Sequence, residues 1–244
     1  MKNFIIIYIH RSGSNVLKIT LKQLLEKTHN FLNEPFNIQI DRHEQKESDI
    51  YDIRNGSILN GEKYNKAVND RFNLLNNTPF LCKISPGEYQ FLYPETRKKL
   101  LEIYKGSKII FLHRENRMNQ ILSLLLAETR FMWAANLDYT EPKIKYILPI
   151  ERISNMVDVQ IRTLKYFNLI KKRITQLDIE YFDLSYEKNI EDQNKLQKTI
   201  LDLGLNESFN VPFLPLNSYE LIENIDECRT EILKHKRYLN MKIE

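Results

Sequence analysis

The segment FIIIYIHRSGSNVLKITLKQLL, residues 4–25, decides the fold of this 244-residue chain. It opens with a continuous apolar run, residues 4–9, rich in β-branched side chains, which is typical of a strand covered by helices on both faces. A polar turn containing Gly13 follows, and apolar residues then recur at helical spacing from Val16 to Leu25. A strand, a glycine-containing turn and an amphipathic helix form the first half of a βαβ unit.

The rest of the chain continues this alternation of strands and helices. Apolar runs predict further strands at 30–35, 80–84, 107–112 and 179–182. Periodic patterns predict helices at 62–75, 89–104, 116–134, 150–174, 190–203 and 222–233, with irregular stretches at 37–60 and 136–148. We therefore expect an α/β fold: a single domain over residues 1–244, with a mainly parallel central sheet flanked by helices.

Composition narrows the classes of partner and of location. The chain is 42% hydrophobic and 28% charged, as in ordinary globular proteins. Its net charge of +4 and its mixed charge pattern are too weak to indicate a nucleic-acid groove, so no nucleic-acid partner is expected. The apolar run at 4–9 is far shorter than the roughly 20 residues of a membrane span. Cys82 and Cys228 lack metal-binding spacing, so we expect reduced thiols, a cytoplasmic location and no metal site.

The segment RSGSN, residues 11–15, has the composition of an anion-binding turn. A turn from strand to helix directs backbone N–H groups and the positive end of the helix dipole at one point. Gly13 permits close approach of the backbone, and Ser12, Ser14 and Asn15 add side-chain donors. Arg11 adds a permanent charge with bidentate geometry. The second glycine and the lysine of a Walker A loop are missing, which argues against hydrolysis of a nucleoside triphosphate.

A second group of candidate residues follows the later strands. Ligands bind at the carboxyl ends of parallel strands, which directs attention to residues 10–15, 33–36, 83–85, 113–117 and 183–186. Arg114 ends the predicted strand at 107–112, and Ser123 lies on the next predicted helix. Because Arg114 precedes that helix, both side chains can converge on one anion.

These two motifs resemble those of sulfotransferases that use 3'-phosphoadenosine 5'-phosphosulfate (PAPS). The turn RSGSNVL, residues 11–17, is similar to the family's 5'-phosphosulfate loop, and LHRENRMNQILS, residues 112–123, is similar to its 3'-phosphate-binding segment. The second segment resembles most closely that of bacterial carbohydrate sulfotransferases of the trehalose type. NEPFN, residues 33–37, resembles the element where that group carries its proposed base. The resemblance implies a P-loop-NTPase-like sulfotransferase architecture.

The resemblance also implies roles for the residues of the two motifs. Residues 11–15 would bind the 5'-phosphosulfate of PAPS, and Arg114 with Ser123 would bind its 3'-phosphate. Glu34 would be the general base that removes the proton of an acceptor hydroxyl, and His10 is an alternative base.

Charge stabilisation would fall to two cations. Arg11 would stabilise charge on the transferring and leaving oxygens, and Lys83, at the end of the third strand, would help to hold the transferred group. The expected acceptor is a carbohydrate or another small molecule with a hydroxyl group. The product of the donor would be adenosine 3',5'-bisphosphate, and no metal is required.

Two other classes of protein stay open. A P-loop-type nucleotide-dependent phosphotransferase would need magnesium and a triphosphate, and this chain lacks the lysine for it. A non-catalytic nucleotide-binding protein would still bind adenosine bisphosphate, but replacing Glu34 would change nothing measurable. Residues 41–60 and 136–148 are expected to shape the acceptor pocket, and their side chains suit a sugar, a tyrosine peptide or a small metabolite. The sequence does not indicate which oligomeric state the protein has.

Overall fold

A computed structural model of the chain describes residues 2–32, 51–52, 57–58, 60–73, 78–130, 145–205 and 218–243. The central sheet has five parallel strands, which are β1 (Asn3–Tyr8), β2 (Asn30–Leu32), β5 (Phe80–Ile84), β6 (Ser107–His113) and β7 (Tyr181–Ser185). Their order across the sheet is β2-β5-β1-β6-β7. A separate antiparallel pair joins β3 (Tyr51–Asp52) and β4 (Ser57–Ile58).

Helices flank the sheet on both faces. They are α1 (Ser14–Leu25), α2 (Gly61–Asn73), α3 (Pro94–Lys105), α4 (Arg117–Thr129), α5 (Ile153–Gln176), α6 (Tyr186–Asn189), α7 (Gln193–Asp202), α8 (Ile225–Leu233) and α9 (Lys236–Leu239). Short 3₁₀ segments lie at Pro86–Phe91, Ile150–Arg152 and Ser218–Leu221. None of the helices in the described ranges has the length and apolar character needed to cross a bilayer.

Strand β1 is buried on both faces, which confirms the prediction from its apolar run. Helices α1 and α7 cover one face of the sheet, and α2, α3, α4, α5 and α8 cover the other. The side chains of β1 and its next residue alternate between the two cores: Phe4, Ile6 and Tyr8 face α1, whereas Ile5, Ile7 and Ile9 face α4 and α5. The sheet is therefore the middle layer of three.

The neighbouring strands β1 and β6 send their connections to opposite faces of the sheet. Helix α1 follows β1 on one face, and α4 follows β6 on the other. Neighbouring strands whose connections diverge in this way open a crevice at their carboxyl ends, where ligands of open α/β sheets bind. Arg11 follows β1 and Arg114 follows β6, so the topology brings both arginines to this crevice.

The helix predicted at 89–104 is wrong as a continuous element, and the helix predicted at 190–203 is present as α7 but begins later than expected. The pattern at 89–104 is divided into the 3₁₀ segment Pro86–Phe91 and α3, because Pro94 requires an extended backbone at Tyr93 (φ −69°, ψ 157°). Asn65 stabilises the break, since its side chain accepts a bond from Tyr93 N (2.7 Å) and donates to Phe91 O (3.1 Å). The pattern at 190–203 begins late, at α7, because Asp192 accepts from Lys195 N (2.9 Å) and caps that helix.

Smaller differences concern element bounds. The strand predicted at 179–182 lies at Tyr181–Ser185. Within the stretch predicted to be irregular, 37–60, two short segments form the β3–β4 pair. Of the strand predicted at 30–35, residues 30–32 are described and form β2. Gly204, just beyond α7, has φ +77°, the left-handed conformation that commonly ends a helix. That residues 1–244 form one domain stays a prediction.

Candidate functional site

The turn between β1 and α1 presents the backbone that an anion requires. Arg11 has φ +62° and Gly13 has φ +80°, so two of its residues adopt the left-handed conformation. Helix α1 begins at Ser14 without a side-chain cap, and its first intrahelical bond runs from Leu17 N to Gly13 O (3.1 Å). The N–H groups of the first turn therefore have no partner within the helix, as at any uncapped N-terminus. A non-glycine residue held at positive φ, such as Arg11, is itself a frequent mark of a functional turn.

Gly13 is required by space as well as by conformation. A Cβ atom at this position would lie 2.7 Å from Tyr186 Cδ2 and 2.9 Å from Ile190 Cγ2, closer than real Cβ contacts allow. Tyr186 begins α6 and is 3% exposed, so its ring packs directly on the turn. The β7–α6 connection thus forms one wall of the turn between β1 and α1.

Arg11 connects the two motifs that the sequence singles out. Its Nε donates a hydrogen bond to Ser123 Oγ (2.8 Å) on α4, 112 residues away. Its terminal nitrogens have no hydrogen-bond partner among the described residues, so four N–H groups stay available to a ligand. Burial lowers the pKa of the Arg11 guanidinium, and the positive charges of Arg114 and Arg130 lower it further. Like charges gathered in a partly buried crevice favour a bound anion.

Arg114 is 8% exposed and is held from three sides. Nη1 donates to Arg11 O (3.3 Å), Nη2 donates to Tyr219 Oη (2.9 Å), and Nε lies 3.4 Å from Glu187 Oε1. The contact with Glu187 is an ion pair rather than a hydrogen bond, since Nε has no hydrogen-bond partner in the described part of the chain. Each terminal nitrogen keeps one further N–H, and two parallel N–H groups match the oxygens of a phosphate.

The predicted pairing of Arg114 and Ser123 has a specific form. The two residues meet through Arg11: Ser123 accepts from the Arg11 side chain, and Arg114 donates to the Arg11 backbone. Ser123 is 8% exposed, and its hydroxyl can still donate its own proton to a ligand oxygen. The site predicted for a 3'-phosphate and the anion-binding turn are therefore contiguous.

Ser12 is fully buried, and its hydroxyl has no hydrogen-bond partner among the described residues. An unsatisfied buried hydroxyl costs about 1–3 kcal/mol and needs an explanation in a native structure. Beside an uncapped helix start, it is one more donor without an acceptor. The chemistry of this turn therefore fits an anionic group.

Lys83 lies beside the same turn, at the carboxyl end of β5. Its Nζ donates to Asn15 Oδ1 (2.6 Å) and lies 4.9 Å from the centroid of the Tyr8 ring. The Lys83 residue is 7% exposed, so the protein holds its charge near the start of α1 instead of leaving it in solvent. Asn15 is thus oriented by Lys83.

His10 and Ser85 meet between the ends of β1 and β5. His10 Nε2 lies 3.3 Å from Ser85 Oγ, and the His10 ring makes an edge contact with Tyr8 at a centroid distance of 5.6 Å. An imidazole at this position, one residue before Arg11, is a group that can take up a proton near the turn.

The backbone of His10 is fixed by α4 and by the last described helix. Gln120 Nε2 donates to His10 O (2.6 Å), while Gln120 Oε1 accepts from Tyr238 Oη (3.0 Å) and from Arg117 Nη1 (3.2 Å). Gln120 and Tyr238 are fully buried, so this network is closed to solvent. This network fixes the backbone at His10, where the chain passes from β1 into the turn.

The sequence analysis identified some of these residues and missed others. Arg11 to Asn15, Lys83, Arg114 and Ser123 lie together at the carboxyl edge of the sheet. Glu34, with the rest of residues 33–36, lies outside the described residues. Four contributors had no assigned role, namely Ser85, Tyr186, Glu187 and Tyr219. The rule of carboxyl strand ends pointed to the segments of the first two, but no local signal marks Tyr219.

No protein-family model matches this chain, and no curated protein matches it in sequence.

Proposed function

We propose that this protein is a sulfotransferase that moves a sulfuryl group from PAPS to a hydroxyl group of a carbohydrate or another small molecule. The hydrogen bond from Arg11 to Ser123 carries the proposal, because it makes the anion-binding turn and the second motif one site. A donor with one anionic group at each end of its ribose needs two adjacent anion sites. The resemblance of residues 11–17 and 112–123 to the PAPS-binding motifs adds the identity of the donor. The five-stranded parallel sheet is compatible with the P-loop-like sulfotransferase architecture that the proposal requires.

The described residues divide the binding task. Arg11, the free N–H groups at the start of α1 and the hydroxyls of Ser12 and Ser14 would hold the 5'-phosphosulfate. Two N–H groups of Arg114 and the hydroxyl of Ser123 would hold the 3'-phosphate. PAPS supplies the activated sulfuryl group, and the protein supplies position and charge.

Charge stabilisation near the transferred group would come from Arg11 and Lys83. Both cations are largely withdrawn from solvent, where the interaction of a fixed charge with a developing negative charge is stronger. Lys83 is positioned by its bond to Asn15, so its charge lies near the N-terminus of α1 before any ligand arrives.

Proton removal from the acceptor hydroxyl is the remaining task. Glu34 is the proposed base, and His10 is the alternative base, since His10 directly precedes the turn and lies 3.3 Å from Ser85 Oγ. In either case the proton passes to the side chain as the hydroxyl oxygen attacks sulfur and the bridging oxygen leaves with its electron pair. Residues 41–60 and 136–148 are the proposed source of acceptor specificity.

Calorimetric titration with adenosine 3',5'-bisphosphate, without magnesium, tests the proposal before any acceptor is known. ATP and 5'-AMP serve as controls. We expect affinity on the order of micromolar that depends on the 3'-phosphate, as two charge-assisted anion sites allow. Absence of binding, or binding of ATP only when magnesium is present, would overturn the sulfotransferase assignment in favour of a phosphotransferase.

A further inference from the structure

Two consecutive residues at the start of α6, Tyr186 and Glu187, contact both parts of the candidate site. Tyr186 touches the turn at Gly13, and Glu187 faces Arg114. Neither belongs to the motifs at 11–17 and 112–123. Their connection follows β7, which is the neighbour of β6 in the sheet, and so reaches the crevice from its outer side.

Glu187 makes three contacts with the segment that carries Arg114. Its Oε2 accepts a hydrogen bond from Glu115 N (2.9 Å), and its Oε1 accepts from Asn116 N (3.1 Å). Oε1 also lies 3.4 Å from Arg114 Nε. Both carboxylate oxygens are therefore used to fix the backbone after β6 and the near edge of the Arg114 guanidinium. This arrangement leaves the far edge of the guanidinium, with Nη1 and Nη2, directed away from Glu187.

Tyr186 lies between the turn and the same guanidinium. The Arg114 Cζ atom is 4.7 Å from the centroid of the Tyr186 ring, and Tyr186 Cδ2 would be 2.7 Å from a Cβ atom at Gly13. Burial raises the pKa of Tyr186 to about 12, so the ring is neutral near pH 7 and meets Arg114 as a cation–π partner. One ring thus sets the distance between the turn and Arg114.

We propose that Glu187 and Tyr186 are positioning residues: Glu187 orients Arg114 toward its anion, and Tyr186 couples Arg114 to the turn at Gly13. Neither residue needs to touch the ligand. Glu187 acts on the second anion alone, whereas Tyr186 acts on both, because its ring contacts both halves of the site. This inference rests on the proposed function for the identity of the ligand. It does not rest on that function for the presence of a site that binds two linked anionic groups.

The Glu187→Gln substitution tests the first half of the proposal. Glu115 N and Asn116 N each face a different carboxylate oxygen, and in glutamine one of these two positions becomes an NH2 group, which cannot accept a hydrogen bond. We expect adenosine 3',5'-bisphosphate to bind about tenfold more weakly, as when one hydrogen bond to a charged group is lost, while 5'-AMP affinity changes less than about twofold. Glu191→Gln is the matched control: it removes the same charge from the same region, and Glu191 pairs with Lys195 (2.8 Å).

Two substitutions of Tyr186 test the second half. Tyr186→Phe keeps the ring and is expected to bind both nucleotides within about twofold of wild type, whereas Tyr186→Leu is expected to weaken both by about tenfold, as lost packing and a lost cation–π contact imply. If the Leu variant does not fold, Tyr186→Met, whose longer side chain fills more of the space of the ring, takes its place with the same expected result. A purely structural role would lower thermal stability of Glu187→Gln without changing the ratio of the two affinities.

The outcomes separate this inference from the proposed function. Wild type that binds the bisphosphate, together with a Glu187→Gln variant whose affinity ratio is unchanged, would overturn the positioning role and leave the proposed function standing. Wild type that binds inorganic pyrophosphate but neither nucleotide would overturn the proposed function, and the same variants would then be compared with pyrophosphate. Wild type that binds none of the three probes would overturn both.

Discussion

Replacing Gly13 by alanine perturbs the anion-binding turn at the point where Tyr186 packs on it. Two costs add. A non-glycine residue with φ near +80° costs about 1–2 kcal/mol. Moving the packed Tyr186 ring and Ile190 aside costs about 1–3 kcal/mol more. Reduced freedom of the unfolded chain offsets about 0.4–1 kcal/mol of this. We therefore expect Gly13→Ala to lower the free energy of unfolding by about 3 kcal/mol, within a range of about 1–5 kcal/mol.

Two other glycines separate these costs. Gly204 has φ +77°, but the nearest atom to a new Cβ, Lys108 Nζ, lies at 3.4 Å on a flexible side chain. Gly204→Ala should therefore lose only about 1 kcal/mol, from backbone conformation alone. Gly106 has φ −93°, and its nearest atom, Ile103 O, lies at 3.9 Å, so Gly106→Ala should keep the stability of wild type or raise it by up to about 1 kcal/mol through the reduced freedom of the unfolded chain.

Urea unfolding followed by circular dichroism measures all three variants in one series. The expected order of destabilisation is Gly13→Ala, then Gly204→Ala, then Gly106→Ala, with similar m-values. If Gly13→Ala were no more destabilising than Gly204→Ala, the close approach of Tyr186 to the turn would be refuted. The proposed coupling of Arg114 to the turn would then lose its basis.

Three further predictions concern binding, turnover and pH. Arg114→Ala should weaken binding of adenosine 3',5'-bisphosphate by about 1.5–3 kcal/mol in calorimetry, the usual effect of losing a hydrogen bond to a charged group. As a control, Arg229→Ala, at an exposed arginine, should leave the nucleotide affinity unchanged. If the affinity of Arg114→Ala were also unchanged, Arg114 would not belong to the site. Glu34→Gln should keep nucleotide affinity and lose turnover in an acceptor assay, and wild-type turnover would transfer the role of base to another residue such as His10. Burial lowers the pKa of His113 from 6.5 to about 4, so the unfolded chain takes up a proton first as pH falls through that window. Between about pH 6.5 and pH 4 the free energy of unfolding of the wild type should therefore fall by up to about 3 kcal/mol more than that of His113→Gln. Equal slopes of unfolding free energy against pH in the two proteins would contradict this prediction.

The parts of the fold that follow from local sequence were predictable. The apolar run at 4–9 specifies a buried strand without reference to the rest of the chain, and Gly13 marks the turn after it. Pro94 shows why the helix predicted at 89–104 failed: the restriction that proline places on Tyr93 is a local signal, but the surrounding helical pattern obscured it. Asp192 gave a comparable signal for the start of α7.

The parts of the site that depend on distant contacts were not predictable in the same way. The edge rule for parallel strands brought Lys83 and Arg114 to the turn, and the sheet register confirms that their strands flank β1. It could not indicate that the Arg11 side chain would bond to Ser123, since that depends on how α4 is rotated. Tyr219 has no local signal either, because its role comes from an approach of the chain to Arg114 across 105 residues.

The Gln120 network has a consequence for the order in which the turn between β1 and α1 is fixed during folding. The turn precedes both of its supports in the chain: His10 O accepts a bond from Gln120, and Gln120 in turn accepts a bond from Tyr238. Because chains are made from the N-terminus and long-range contacts close slowly, we expect the turn to be fixed only after the helix that carries Tyr238 has been made. A chain that stops before Tyr238 would contain residues 11–17 and 112–123 and still leave Gln120 without one of its buried donors. The final position of the turn therefore depends on α9, which lies far along the chain from it.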